Sequence, residues 1–206
     1  MRVAVIDYGI GNVQSVLNAC RRLTATAERV TDGVALMAFA PDRIILPGVG
    51  AIGTALQRLR EAGLDTALAD RVLGGGTPFL GICVGMQMLA DACEEFGSHQ
   101  GLGWIPGRVV RLGAGNPTLR VPHVGWNTVR ACHPDDPLFG PLDGRDFYFV
   151  HSYAMDCPAD FVAATTKYGG PFVSAVRRGA ILGVQFHPEK STAAGADLLA
   201  RFLEDG

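Results

Sequence analysis

A thiol and an imidazole held together can carry out acyl transfer at neutral pH, and this chain has five cysteines and five histidines. One cysteine stands in a setting that the others lack. Cys83 lies in Thr77-Pro-Phe-Leu-Gly-Ile-Cys-Val-Gly-Met-Gln87, with Gly81 and Gly85 spaced evenly about it. A Gly-x-nucleophile-x-Gly pattern between an apolar strand and a helix marks a sharp turn that lifts the nucleophile out of the sheet, with glycines where side chains would clash. Helix N-terminal amides behind the sulfur favour thiolate, the reactive form, and the Val84 amide is placed to donate to an oxyanion. A free cysteine is ordinarily a small core residue. That describes Cys20, on an apolar helix face, whereas Cys93, Cys132 and Cys157 have no reactive setting.

A cysteine nucleophile needs a base and a group to orient it. His187, in Gln185-Phe-His-Pro-Glu189, follows the apolar run Ile181 to Val184. In extended chain, residues two apart point the same way. Glu189 is therefore expected to accept from one imidazole nitrogen and leave the other facing the thiol. His151, in His-Ser-Tyr, is a rival base without an acid at useful spacing and reads as lining the site. His99, His123 and His133 have no acidic partner in sequence, and no His/Cys spacing matches a metal site.

A second glycine turn, Ile44-Ile-Leu-Pro-Gly-Val-Gly-Ala51, runs from a strand towards a helix. Such a turn sits at the C-terminal sheet edge, where α/β folds bind ligands. Amides at Gly48, Val49 and Gly50 can take a carboxylate or complete an oxyanion hole. A phosphate loop would end Gly-Lys-Ser/Thr, which is absent. Tyr8-Gly-Ile-Gly-Asn12 falls short of a dinucleotide fingerprint, because Gln14 occupies the third glycine position.

These motifs need a frame. Arg2 to Ile6, Arg43 to Leu46 and Thr77 to Ile82 read as strands. Asn12 to Leu23, Ile52 to Leu59, Leu64 to Leu73 and Met86 to Ala92 read as helices, giving parallel β-α-β units. The second half is strand-like over Arg108 to Leu112, Val121 to Val129, Asp146 to Val150, Phe161 to Thr166, Phe172 to Val176 and Ile181 to Phe186. Ala193 to Leu203 closes the chain as an amphipathic helix. The expected architecture is a central, mostly parallel sheet flanked by helices, with antiparallel strands added to it in the C-terminal half.

Composition narrows the partners. With 206 residues, 48% of them hydrophobic, one globular domain over residues 1–206 is expected. A net charge of −2 argues against nucleic acid. Five unevenly spaced cysteines suit a reducing compartment. Asp7 cuts the first apolar run too short for a signal peptide. The uncharged stretch Val72 to Ala90 holds too many Gly and Pro breakers for a lipid-facing helix. A protein of the cytoplasm, away from membranes, is expected.

Gly81-Ile-Cys-Val-Gly-Met-Gln87 together with Gln185-Phe-His-Pro-Glu189 resembles the class I (triad) glutamine amidotransferases, a flavodoxin-like fold. A narrower resemblance, to the glutaminase subunits of imidazole glycerol phosphate synthases, rests on five stretches. They are Asp7-Tyr-Gly-Ile-Gly-Asn12, Pro47-Gly-Val-Gly50, Pro122-His-Val-Gly-Trp-Asn127, His151-Ser-Tyr153 and His187-Pro-Glu-Lys-Ser191. Val84 stands where that family more often has Leu, a mild change because the backbone amide does the work.

The resemblance implies hydrolysis of L-glutamine through a thioester on Cys83, with His187 and Glu189 completing the triad. Val49 and Val84 amides would form the oxyanion hole. Gly48, Gly50, Gln87, Glu95, Ser152 and Tyr153 would bind glutamine, Glu95 through its ammonium. Asn12, Trp126, Asn127 and Lys190 would face a (β/α)8-barrel cyclase subunit that receives the ammonia, in a heterodimer of histidine biosynthesis. No metal or organic cofactor is expected.

Overall fold

The computed structural model describes residues 1–23 and 26–205, without the side chain of Asp205. The strands, in chain order, are β1 Val3–Ile6, β2 Ala27–Val30, β3 Arg43–Gly48, β4 Phe79–Cys83, β5 Ala92–Cys93, β6 His99–Gln100 and β7 Arg108–Arg111. They continue as β8 His123–Thr128, β9 Arg130–Ala131, β10 Asp146–His151, β11 Tyr153–Asp156, β12 Val162–Lys167, β13 Pro171–Arg178 and β14 Ile181–Val184. The helices are α1 Val13–Leu23, α2 Gly33–Phe39, α3 Ile52–Glu61, α4 Leu64–Ala69, α5 Val84–Gln87 and α6 Thr192–Asp205.

The parallel block has the order β2-β1-β3-β4-β14, the doubly-wound order of flavodoxin-like sheets. β1, β4 and β14 are buried along their whole length, which is why they read as unbroken apolar runs rather than alternating ones. α1 buries Val13, Val16, Leu17 and Cys20, the face its spacing predicts. Beyond β14 the same sheet turns antiparallel through β13, β11 and β7, with β12 also on β13. The sheet is thus more evenly mixed than its parallel core suggests.

Several expectations need correction. β8 and β10 do not extend the main sheet; they form a two-stranded antiparallel sheet of their own. The reason lies in β10, whose Phe147, Phe149 and His151 are buried. Phe147 packs on Phe186 with ring centroids 4.2 Å apart, and Phe149 meets the Phe172 edge at 5.8 Å. The pair lies over the sheet instead of along its edge.

The helix expected over Met86 to Ala92 stops at Gln87. The carbonyls of Met88, Leu89 and Ala90 accept from Leu102, Trp104, Ile105 and Gly103 instead of continuing a helical ladder. The helix expected to run on to Leu73 gives way at Asp70 to a wider turn, with Gly75 N–H on the Asp70 carbonyl. β2, α2 and β11 had no sequence counterpart. No helix among the described residues is long and apolar enough to cross a membrane.

Candidate active site

Cys83 ends β4 with φ +55 and ψ −109, a backbone conformation that L residues rarely adopt. The flanking glycines are sterically obligatory. A Cβ on Gly85 would lie 1.9 Å from the Leu46 carbonyl oxygen, and one on Gly81 would lie 2.6 Å from the Gly85 oxygen. The turn therefore has the geometry expected of it, although the helix that follows is a single turn.

The sulfur opens into a cavity of about 340 Å³ lined by Val49, Gly50, Val84, Gln87, Glu95 and His187, among others. A more open groove of about 720 Å³ beside α3 shares Glu95 but contains neither Cys83 nor His187.

His187 and Glu189 come together, though not along extended chain. Pro188–Lys190 is a short 3-10 turn, closed by Lys190 N–H on the His187 carbonyl at 3.0 Å. Ser191 holds that turn. Its hydroxyl donates to the His187 carbonyl at 2.6 Å and accepts from the Tyr148 amide at 3.0 Å. His187 Nδ1 meets Glu189 Oε1 at 2.9 Å, with both side chains almost fully buried. His187 Nε2 has no hydrogen-bond partner among the described residues, yet its charge is coupled to the Cys83 thiol. Burial alone would lower the His187 pKa; interaction with Cys83 and Glu189 outweighs it and pushes the imidazole up to about 9.

Burial works against ionisation at the four cysteines outside the site. Burial pushes Cys20 and Cys93 up to about 12 and Cys157 up to about 11, and raises Cys132 as well.

Most of the remaining expected residues meet at the same cavity: Gly50, Gln87, Glu95, Ser152 and Tyr153, with Val49 and Val84. Glu95 Oε2 also accepts from the Ile52 amide at 2.6 Å, at the start of α3. Gly48 is the exception. It belongs to β3, paired with Cys83, and is not among the lining residues. A Cβ there would lie 2.7 Å from the Tyr8 hydroxyl and 2.8 Å from the Gly85 nitrogen, so this glycine serves close packing beneath the elbow.

The four residues expected to face a partner divide into two kinds. Trp126 is 53% exposed, and Lys190 is exposed with its ammonium 5.8 Å from the Tyr148 ring centre. Asn127 turns inward, donating to the Lys167 carbonyl at 2.9 Å and approaching His123 Nε2 at 3.3 Å. Asn12 Nδ2 donates to Glu189 Oε1 at 3.2 Å, next to His187.

The elbow, an imidazole–carboxylate couple and a glycine turn around one cavity are the parts of an amide-hydrolysing site. A family model described as glutamine amidotransferase class-I matches residues 4–205. The chain belongs to this family.

Similar class I glutamine amidotransferases include the "imidazole glycerol phosphate synthase subunit HisH" of Zymomonas mobilis, 47% identical over 206 residues, covering 98% of this chain and 95% of that protein. The protein of the same description in Salinibacter ruber is 47% identical, covering 96% and 92%. The "imidazole glycerol phosphate synthase hisHF, chloroplastic" of Arabidopsis thaliana is 44% identical over 98% of this chain, which spans 34% of that longer protein. Among solved structures, a glutamine amidotransferase superposes with a TM-score of 0.77 at 23% identity, covering 99% of this chain and 98% of that one. PurLQS from Thermotoga maritima gives 0.74 at 17%, covering 98% and 97%. These structures share the class I glutamine amidotransferase fold.

Two site residues escaped the sequence reading. His123 pairs with His151, Nδ1 to Nε2 at 3.0 Å, and stacks between Phe149 and Tyr168 with centroids at 4.9 and 4.0 Å. Burial lowers both imidazoles to about 4. Gln185, fully buried, reaches the Cys83 sulfur with its amide nitrogen at 3.6 Å. It stood inside a quoted motif, but nothing in the sequence placed it against a residue so far away. Among the described residues no group of three or more His, Cys, Asp or Glu is placed to hold a metal ion.

Proposed function

We propose that this chain is the glutaminase subunit of an imidazole glycerol phosphate synthase, acting as one cytoplasmic domain with a (β/α)8-barrel cyclase as its partner. The observation that carries the chemistry is Cys83, at φ +55, opening into the cavity that His187 also lines while Glu189 holds the other face of that imidazole.

Cys83 is the nucleophile, His187 the acid–base group and Glu189 its orienting carboxylate. With its pKa pushed up to about 9, His187 is protonated at neutral pH and stabilises a facing thiolate. The sulfur attacks the side-chain amide carbon of glutamine, and the oxygen takes the negative charge between the Val49 and Val84 amides. The C–N bond then breaks, and the His187 proton leaves with the nitrogen as ammonia. Water, giving its proton to His187, attacks the thioester. The C–S bond breaks, glutamate departs and the thiolate–imidazolium pair is restored. Every proton and electron pair is carried by side chains, substrate and water.

Gly50, Gln87, Ser152 and Tyr153 hold glutamine, and Glu95 faces its ammonium. Ammonia released into neutral water is largely protonated and no longer nucleophilic, so hydrolysis is useful only beside an acceptor. The relatives described as subunits, and the longer chloroplastic protein of which this chain matches a fraction, support a cyclase as that acceptor. Trp126 and Lys190 form the exposed part of the docking face, with Asn12 and Asn127 behind them.

The test is Cys83→Ala in complex with the cyclase. Glutamine-dependent synthesis should be abolished, while synthesis from an ammonium salt should survive. Joint loss of both activities in a folded complex refutes this division of labour.

A further inference from the structure

Gln185 has no role in the scheme above, yet it is one of the few polar groups touching the reacting sulfur. Its orientation is dictated by a chain of buried partners. The Tyr153 carbonyl oxygen can only accept, and it takes Gln87 Nε2 at 3.0 Å. Gln87 must therefore present its amide nitrogen there, and that same nitrogen reaches Gln185 Oε1 at 3.0 Å. With its oxygen committed to Gln87, Gln185 turns its nitrogen to Cys83 Sγ, 3.6 Å away, a hydrogen-bond distance for a sulfur acceptor.

The chain continues on the other side of Tyr153. Its carbonyl also accepts from His151 Nδ1 at 2.8 Å, which fixes the tautomer of His151 and leaves Nε2 as an acceptor. His123 Nδ1 donates to that Nε2 at 3.0 Å, and His123 Nε2 accepts from Asn127 Nδ2 at 3.3 Å. Asn127 is itself fixed, with its nitrogen on the Lys167 carbonyl at 2.9 Å and its oxygen on the Thr128 amide at 2.8 Å. Each link has one permitted direction.

We propose that Gln185 is a catalytic residue whose side-chain amide donates to the Cys83 sulfur and stabilises it as thiolate, with Gln87, His151 and His123 as positioning residues that keep that amide turned towards it. This rests on Cys83 being the nucleophile. Besides His187, the sulfur also approaches the Val150 carbonyl at 3.9 Å, an acceptor that favours the protonated thiol. Gln185 lies nearer the sulfur than that carbonyl does and has the opposite effect. His187 supplies charge; Gln185 supplies a fixed dipole needing no reorganisation during reaction. The donor acts twice: before the sulfur forms its bond to the amide carbon, and again when the thioester C–S bond breaks and the electron pair returns to sulfur. A flipped amide would turn its oxygen on the thiolate; the Tyr153 carbonyl, which only accepts, prevents that flip through Gln87, and His151, backed by His123, holds that carbonyl in place.

The experiment measures the rate of Cys83 alkylation by iodoacetamide against pH on the full chain, read by site-resolved mass spectrometry. Gln185→Met removes the donor at similar length. Gln185→Glu keeps the acceptor that Gln87 needs but sets a carboxylate against the sulfur. The inflection should rise by about one pH unit in the first and further in the second, with kcat for glutamine falling about tenfold and KM within about twofold.

His151→Phe should move the inflection the same way by less, and His151→Asn, which keeps a donor to Tyr153, should restore it. Should Gln185→Met fail to fold, the Gln185→Glu inflection decides. An inflection unmoved in the folded Gln185 variants overturns the proposal, even where activity falls. If Cys83 resists alkylation, or Cys83→Ala retains glutaminase activity, it is the nucleophile assignment that fails instead.

Discussion

His187 and His151 line the same cavity, and each takes its Nδ1 partner from the residue two places on. For His187 that partner is the Glu189 carboxylate; for His151 it is the Tyr153 carbonyl. Both rings are buried, and burial alone disfavours charge on either. Yet His187 is pushed up to about 9 and His151 down to about 4. The difference is a negative charge within hydrogen-bond reach. His187 has a carboxylate on one side and a thiol able to ionise on the other. His151 has a carbonyl and a second imidazole, His123, also lowered to about 4. Two imidazoles of one cavity are thus driven in opposite directions, His187 towards its charged form and His151, with His123 behind it, towards its neutral form.

The hardest way to break this contrast is Glu189→Gln. Glutamine still accepts from Nδ1, so the ring stays oriented, but the charge is gone and His187 is left in surroundings like those of His151. Glutaminase kcat should fall by about 10³-fold at neutral pH, because the proton donor to the leaving ammonia is no longer populated. Kinetics on the folded variant would contradict the contrast if the loss stayed below about tenfold.

The same contrast fixes the pH dependence of stability, with opposite signs. His187 has a folded pKa above its unfolded value of roughly 6.5, so its stabilisation is complete below that pH and is lost as pH rises through about 9. His123 and His151 lie below theirs, so their stabilisation is complete above pH ~6.5 and is lost as pH falls towards about 4. Urea unfolding across pH should trace a dome. His187→Gln should flatten the alkaline arm by order of 2 kcal/mol, and His151→Asn the acid arm by a similar or smaller amount. A variant that alters the opposite arm would show the charge states to be misassigned.

The legible half of the site was the local half. Gly81 and Gly85 announce the elbow because no side chain fits there, a steric requirement that the sequence states directly. His187 and Glu189 are neighbours in the chain, and their pairing was readable even though a 3-10 turn, not a strand, makes it. Of the parallel block, β1, β3, β4 and β14 were readable as apolar runs. What remained hidden depends on contacts across the fold. His123 and His151 are separated by 28 residues, Gln185 and Cys83 by 102, Asn12 and Glu189 by 177. The helix after the elbow is short because a later segment claims its carbonyls, which no local propensity encodes. β2 and α2 are brief, and α2 owes its start to Asp32 accepting from Ala35 N–H at 2.8 Å, a cap easily read as a turn.

Asn12 gives the smallest effect and the finest resolution. Sequence resemblance places it on the partner face, whereas its side chain donates to the Glu189 oxygen that His187 already holds. The second Glu189 oxygen is buried without a hydrogen-bond partner among the described residues, so Asn12 is one of only two donors fixing this carboxylate. Asn12→Ala should lower kcat about fivefold with KM for glutamine unchanged, the scale of one partly exposed hydrogen bond to a charged group. Measured on the isolated chain and again in the cyclase complex, the variant separates two roles. An equal loss in both means that Asn12 orients Glu189 and sharpens the contrast between the two histidines. A loss confined to the complex assigns Asn12 to the docking face and leaves His187 as the sole support of the carboxylate that charges it.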